Sequence, residues 1–161
     1  VNAVAGHALD YDDVALSAHP STVLVPAIWA EAHRLRASGS DMLRAYVVGY
    51  EVWAELFSRE SDQYHLKGWH PTGVFGVVGA AAAVAYLNRE KLTQLQVAHA
   101  LSIAASSASG VVANFGTMTK PLHAGKAAMN GASASSAVRA PDPSAALAQP
   151  SRVRAGTVKA S

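Results

Sequence analysis

The chain has 161 residues, half of them hydrophobic and only 15% charged, which excludes a disordered chain and suffices for one buried core. There is no cysteine, so disulfides, thiolate nucleophiles, zinc–thiolate sites and cysteine-ligated iron–sulfur clusters are excluded together. The net charge of +2 belongs to the end of the chain: residues 1–131 hold nine Lys/Arg against ten Asp/Glu, so no basic stripe in the body points to nucleic acid.

The N-terminus, Val1-Asn2-Ala3, has neither an initiator Met nor a basic stretch before an apolar run. It reads as a chain cut within a domain rather than as a signal peptide. An acidic cluster follows, His7-Ala8-Leu9-Asp10-Tyr11-Asp12-Asp13. Clustered carboxylates repel unless they meet a cation or shift one another's pKa for acid–base work. Three uses stay open on the residues alone: a magnesium site, a general base with an orienting partner, or helix caps in a solvated loop.

His19-Pro20 opens a helix to about residue 37, with Pro26 as its weak point and Ser38-Gly39 as its stop. Ser40 is expected to cap the next helix, 41–58, whose Met42, Tyr46, Gly49, Tyr50, Trp53 and Phe57 fall on one stripe. Trp29 and Trp53 are expected in the core with Tyr46 and Tyr50, and His33, His65 and His99 as structural or exposed. His70-Pro71 opens the apolar helix 72–87, where Gly73, Gly76 and Gly79 form a thin ridge for a neighbouring helix. Its apolar run of 15 residues, Gly73–Leu87, falls short of the roughly 20 needed to span a bilayer. Thr93 and Gln96 make a capping box for helix 93–108, apolar nearly all round and therefore expected at the centre. Lys120-Pro121 opens a last helix to about Gly131. Beyond it the composition turns to Ala, Ser, Pro and Arg, so 132–161 reads as a flexible tail after a helical unit, 1–131.

Three helices thus open at a His–Pro or Lys–Pro step, more often than the composition would place such pairs. Free N–H groups and the positive dipole end at a helix start favour anions, and an added His or Lys strengthens that preference. If the three starts converge, they make an anion site.

Four motifs carry a family resemblance: Gly6-His7-Ala8-Leu9-Asp10-Tyr11-Asp12-Asp13; His19-Pro20-Ser21; Gly68-Trp69-His70-Pro71-Thr72-Gly73-Val74-Phe75-Gly76; and Gly116-Thr117-Met118-Thr119-Lys120-Pro121-Leu122-His123-Ala124-Gly125. In that order and spacing, over residues 1–131, the chain resembles the 2-methylcitrate dehydratase family, also called MmgE/PrpD, which includes the cis-aconitate decarboxylases. The resemblance implies an all-α fold, a multi-helix bundle forming part of a larger helical domain, with a second, smaller α+β domain outside this chain. It implies a cytoplasmic homodimer, no membrane or nucleic-acid partner, and dehydration or decarboxylation of a small tricarboxylate without metal, iron–sulfur cluster or other cofactor.

Carried over by position, the family's active-site residues fall on Asp10, His19, His70 and Lys120. Lys120 and His19 are expected to bind carboxylates, with His123 in reserve, and His70 and Asp10 to move protons. In the decarboxylase branch a threonine follows the acidic cluster near Val14, and its absence here points away from that branch and toward the dehydratase. Other chemistries of the family, an isomerase, an epimerase or a decarboxylase, remain alternatives, as does a non-catalytic helical remnant. After Gly131 the family continues with an Ala/Leu-rich helix, so the turn to Ser133-Ala134-Ser135-Ser136 reads as a divergence there.

Overall fold

The computed structural model describes residues 1–59 and 63–139. Six α-helices occur among them: α1 (Asn2–His7), α2 (Pro20–Leu35), α3 (Gly39–Ser58), α4 (Pro71–Leu87), α5 (Gln94–Ser106) and α6 (Thr119–Ala137). Short 3₁₀ turns at Tyr64–Lys67, Arg89–Lys91 and Val112–Asn114 join them, and the described residues form no β-strand. The all-α expectation holds.

The centre is α4. Its sequence, Pro-Thr-Gly-Val-Phe-Gly-Val-Val-Gly-Ala-Ala-Ala-Ala-Val-Ala-Tyr-Leu, has no polar face, and a helix apolar on every side is stable only when surrounded. Val77, Ala80, Ala81, Ala83 and Val84 have no exposed surface, and α2, α3, α5 and α6 all pack on this helix. The glycine ridge sets the spacing. A Cβ on Gly49 of α3 would lie 2.8 Å from the Gly79 carbonyl oxygen of α4, and one on Gly76 would lie 3.1 Å from the buried Trp53 ring.

Helices α2, α4 and α6 run parallel. At one end the His19 N–H donates to the Thr72 hydroxyl over 3.2 Å, and His70 meets His123. At the other end Glu31 of α2 is buried under Arg34, Asn88 and Arg139, which follow or end the same three helices. Burial pushes the Glu31 carboxyl up, but the hydrogen bonds from Arg34, Asn88 and Arg139 outweigh it and hold the pKa at about 2. The cluster fixes how far each helix is shifted along its neighbours.

Several local expectations need correction. Ser38, not Ser40, caps α3, with its hydroxyl accepting from Asp41 N–H over 3.1 Å. Helix α5 carries the capping box of Thr93 and Gln96 but lies at the periphery: it buries Ala100 and Ala104 and leaves Leu95 and Ile103 in solvent. Trp53 is fully buried, whereas Trp29 is 59% exposed and shares a shallow α2–α3 groove with Val25, Met42 and Leu43. Pro26 does not end α2, which continues to Leu35. Gly131 does not end α6 either: the helix runs to Ala137, with Ala134 and Ser135 buried and the Ser135 hydroxyl donating to the Ala81 carbonyl over 2.8 Å. The remainder of the expected tail, 140–161, lies outside the described residues.

A Cβ at Gly131 would stand 2.5 Å from the Val77 carbonyl oxygen and 2.6 Å from Ala80 Cβ, so Gly131→Ala must part α6 from α4. Overpacking of this kind costs about 1–3 kcal/mol. Thermal melts are expected to show that loss for Gly131→Ala and none for Gly39→Ala, where a Cβ meets nothing within 4 Å. Equal melting temperatures for the two variants would contradict the close α4–α6 contact.

Candidate active site

The starts of α2, α4 and α6 do converge, and the loop between α1 and α2 folds over them. His19 and His70 each precede the proline that begins a helix, with backbone angles outside the helical region. Lys120 sits one step further in, within the first turn of α6, which begins at Thr119. Two backbone hydrogen bonds hold the approach to α4: His70 N–H to the Gly110 carbonyl at 3.1 Å, and Val112 N–H to the Gly68 carbonyl at 2.9 Å.

The acidic cluster divides into three separate jobs. Asp13 is a cap: its carboxylate accepts the Ser21 N–H at 3.1 Å and 3.2 Å, close to the positive end of α2. Asp12 accepts from His7 Nδ1, both oxygens at 3.0 Å. Asp10 adopts a left-handed backbone, φ 55°, and its Oδ1 lies 2.5 Å from Lys120 Nζ and 3.5 Å from His19 Nε2. A left-handed aspartate is uncommon and locally costly, and here it turns the carboxylate toward the Lys120 ammonium and the His19 ring.

His19 donates from Nδ1 to the Asp13 carbonyl at 3.0 Å, which leaves Nε2 as an acceptor facing the site. The His70 and His123 rings meet Nδ1 to Nδ1 at 3.0 Å, so one must donate and the other accept. Phe115 closes this side: its ring is 4.8 Å from the His70 ring and 5.2 Å from Lys120 Nζ. The His7 ring lies between the two helix starts, 4.5 Å from His19 and 6.2 Å from His70. Asp10, His19, His70, Lys120 and His123 are therefore brought together, and His7, Asp12 and Phe115 join them. The sequence signal for His7 was its five-residue spacing from Asp12, which does not by itself announce a contact.

His7, Asp10, Asp12 and His19 offer ligand atoms within 4.8 Å of one another, close enough to surround a small cation. The Lys120 ammonium already meets Asp10 there, and a divalent ion would have to displace it against its own charge.

Charge is tuned in one direction. Burial lowers the His70 pKa to about 3, with His123 and Lys120 adding to the effect. Burial also lowers His19, against the opposing Asp12 carboxylate, and burial followed by Lys126 lowers His123. The hydrogen bond from Lys120 is the largest influence that lowers Asp10. At neutral pH His19, His70 and His123 are thus held neutral beside an ionised Asp10.

The result is an all-α bundle that gathers imidazoles, a lysine and a carboxylate, groups able to move protons and to hold an anion, at parallel helix starts. The chain matches the MmgE/PrpD N-terminal domain over residues 1–145 and belongs to that family. It is similar to the cis-aconitate decarboxylases of Mus musculus and Homo sapiens, 41% identical to each over 138 and 139 residues, or 81% of this chain. A cis-aconitate decarboxylase-like protein of Aspergillus oryzae is 36% identical over 135 residues, 77% of the chain. The chain spans 28% of the length of each of these curated relatives. Among the described residues, no helix is long and apolar enough to cross a membrane.

The lowered imidazoles set the acid stability. An unfolded His70 takes up its proton near 6.5 and the folded one only near 3, so the unfolded state binds more protons in between. Stability is fully present above pH 6.5 and is lost as pH falls toward 3; Glu31 adds a loss of the same sign only between 4.5 and about 2. The melting temperature is expected to drop already between pH 7 and pH 5, and His70→Gln should flatten that slope. An unchanged slope in the variant would remove His70 as its source.

Proposed function

We propose that this domain serves a lyase acting on a small tricarboxylate. The observation that supports it is the meeting of Lys120 and His19 at Asp10, with His70 close by across the His7 ring, at three parallel helix starts. Lys120 holds a substrate carboxylate and the negative charge that builds beside it in the reaction, and the unprotonated Nε2 edge of His19 accepts a hydrogen bond from a substrate hydroxyl or protonated carboxyl. His70, neutral at pH 7, and Asp10, kept ionised by Lys120, are the groups for proton movement, with His123 behind His70 as its hydrogen-bond partner.

The relatives' names support loss of carbon dioxide. In that step the carbon–carbon bond to the departing carboxylate breaks, its electron pair moves through the neighbouring double bond, and a proton is taken up at the far carbon. Val14 supports a second reading, loss of water: a base removes the proton beside a carboxylate and an acid protonates the leaving hydroxyl. Both reactions need the same cationic hold on a retained carboxylate. A cytoplasmic homodimer completes the reading and rests on the family resemblance alone.

Ligand-dependent melts with cis-aconitate, citrate and 2-methylcitrate test the anion site directly. A ligand at one hundred times its dissociation constant stabilises by about 2.7 kcal/mol. The upward shift is expected in the wild type and should be lost in Lys120→Ala; a full shift in that variant contradicts the assignment. Product analysis by NMR separates the two reactions: a five-carbon dicarboxylate marks decarboxylation, an unsaturated tricarboxylate from a hydroxy acid marks dehydration. In the full-length protein His70→Ala is expected to keep binding and lose at least 100-fold in turnover, in line with loss of a general acid–base group.

A further inference from the structure

His7 is the residue whose presence the assignment above leaves unexplained. Its side chain has no exposed surface, yet it is polar, and its Nε2 has no hydrogen-bond partner among the described residues. An apolar side chain would fill the same space without leaving a buried nitrogen unpaired, so packing does not account for a histidine here. Direct contact with a ligand does not account for it either, because Nε2 is sealed from solvent.

What His7 does have is Asp12. A carboxylate only accepts, so the proton of this contact lies on His7 Nδ1, and both Asp12 oxygens stand 3.0 Å from it. The carboxylate held this way, its side chain only 12% exposed, has Oδ2 3.4 Å from His19 Nδ1. The same Nδ1 donates to the Asp13 carbonyl. The two imidazoles face one another, with ring centres 4.5 Å apart. A negative charge fixed beside Nδ1 favours a proton on that nitrogen, whereas the Asp10 carboxylate 3.5 Å from Nε2 is already held by Lys120; a buried carboxylate sets the tautomer of a working histidine in this way.

We propose that Asp12 and His7 form a positioning pair for His19: His7 Nδ1–H anchors the Asp12 carboxylate against the Nδ1 edge of His19, which locks that ring in its Nδ1–H tautomer with Nε2 turned to Asp10 and Lys120. The pair's value for turnover rests on the reading of His19 as a substrate-contacting residue; the tautomer lock itself does not.

The test is a long-range proton–nitrogen NMR correlation on the ¹⁵N-labelled chain without ligand, at a pH well above 6.5. In the wild type His19 is expected to show a protonated Nδ1 and an unprotonated Nε2. In Asp12→Asn, which keeps the size and removes the charge, and in His7→Leu, which fills the space without an anchor, both His19 nitrogen signals should move toward a mixture of tautomers. A wild-type His19 protonated on Nε2 overturns the proposal at once. An unchanged His19 pattern in Asp12→Asn overturns it too, since the Asp13 carbonyl would then suffice, and this variant decides alone if His7→Leu fails to fold. The readout needs no substrate. A lock seen by NMR in a chain whose melt ignores all three tricarboxylates would sink the lyase reading and leave the positioning pair standing.

Discussion

The parallel alignment of α2, α4 and α6 is the constraint on which the rest depends. Parallel neighbours bring like dipole ends together, which is unfavourable unless charge answers it at both ends. The positive ends meet Asp13 on α2 and the Asp10 and Asp12 carboxylates nearby, while Arg34 and Arg139 lie at the negative ends around Glu31. Packing makes the alignment possible. Gly49, Gly79 and Gly131 let backbones approach to distances that no side chain would allow, Gly76 makes room for the Trp53 ring, and the alanines of α4 fill the space between.

The site inherits its geometry from that frame. His19, His70 and Lys120 stand at the starts of rigid helices rather than on free loops, and the cluster at Glu31 restrains sliding along the helix axes. The irregular part is the loop from Ala8 to Ala18, where Asp10, Leu16 and Ser17 all take left-handed backbone angles. This loop supplies the carboxylates, and its distortion is what brings Asp10 to Lys120 and Asp12 to His7. Burial then keeps His19, His70 and His123 neutral beside the Lys120 ammonium.

Much of this was legible in the residues. The uninterrupted apolarity of α4 marks a surrounded helix, the glycine spacing marks a close neighbour, and the Thr93–Gln96 pair marks a helix start. The His–Pro and Lys–Pro steps and the acidic cluster named the site residues before any contact was known. Other features were hidden for physical reasons. Gly131 looks like a helix stop because glycine is a good C-cap, but here it serves as a contact surface for α4, a role visible only when the partner is in place. The apolar residues of α5 and Trp29 suggested burial, yet a hydrophobic pattern does not say whether anything covers it. Nor could spacing reveal that His7, Asp12 and His19 share one carboxylate, since that depends on a loop with three left-handed residues.

The contact between Asp10 and Lys120 also makes the site self-occupied. An anion arriving at the ammonium finds a carboxylate of the same chain already there, tethered and at high effective concentration. Binding is therefore an exchange of one carboxylate for another, and a ligand with a single carboxylate gains little from it. On the proposed reading a ligand with several would keep one group on Lys120 while others meet the positive ends of the neighbouring helices, so the internal competitor would favour polyanions over simple acids.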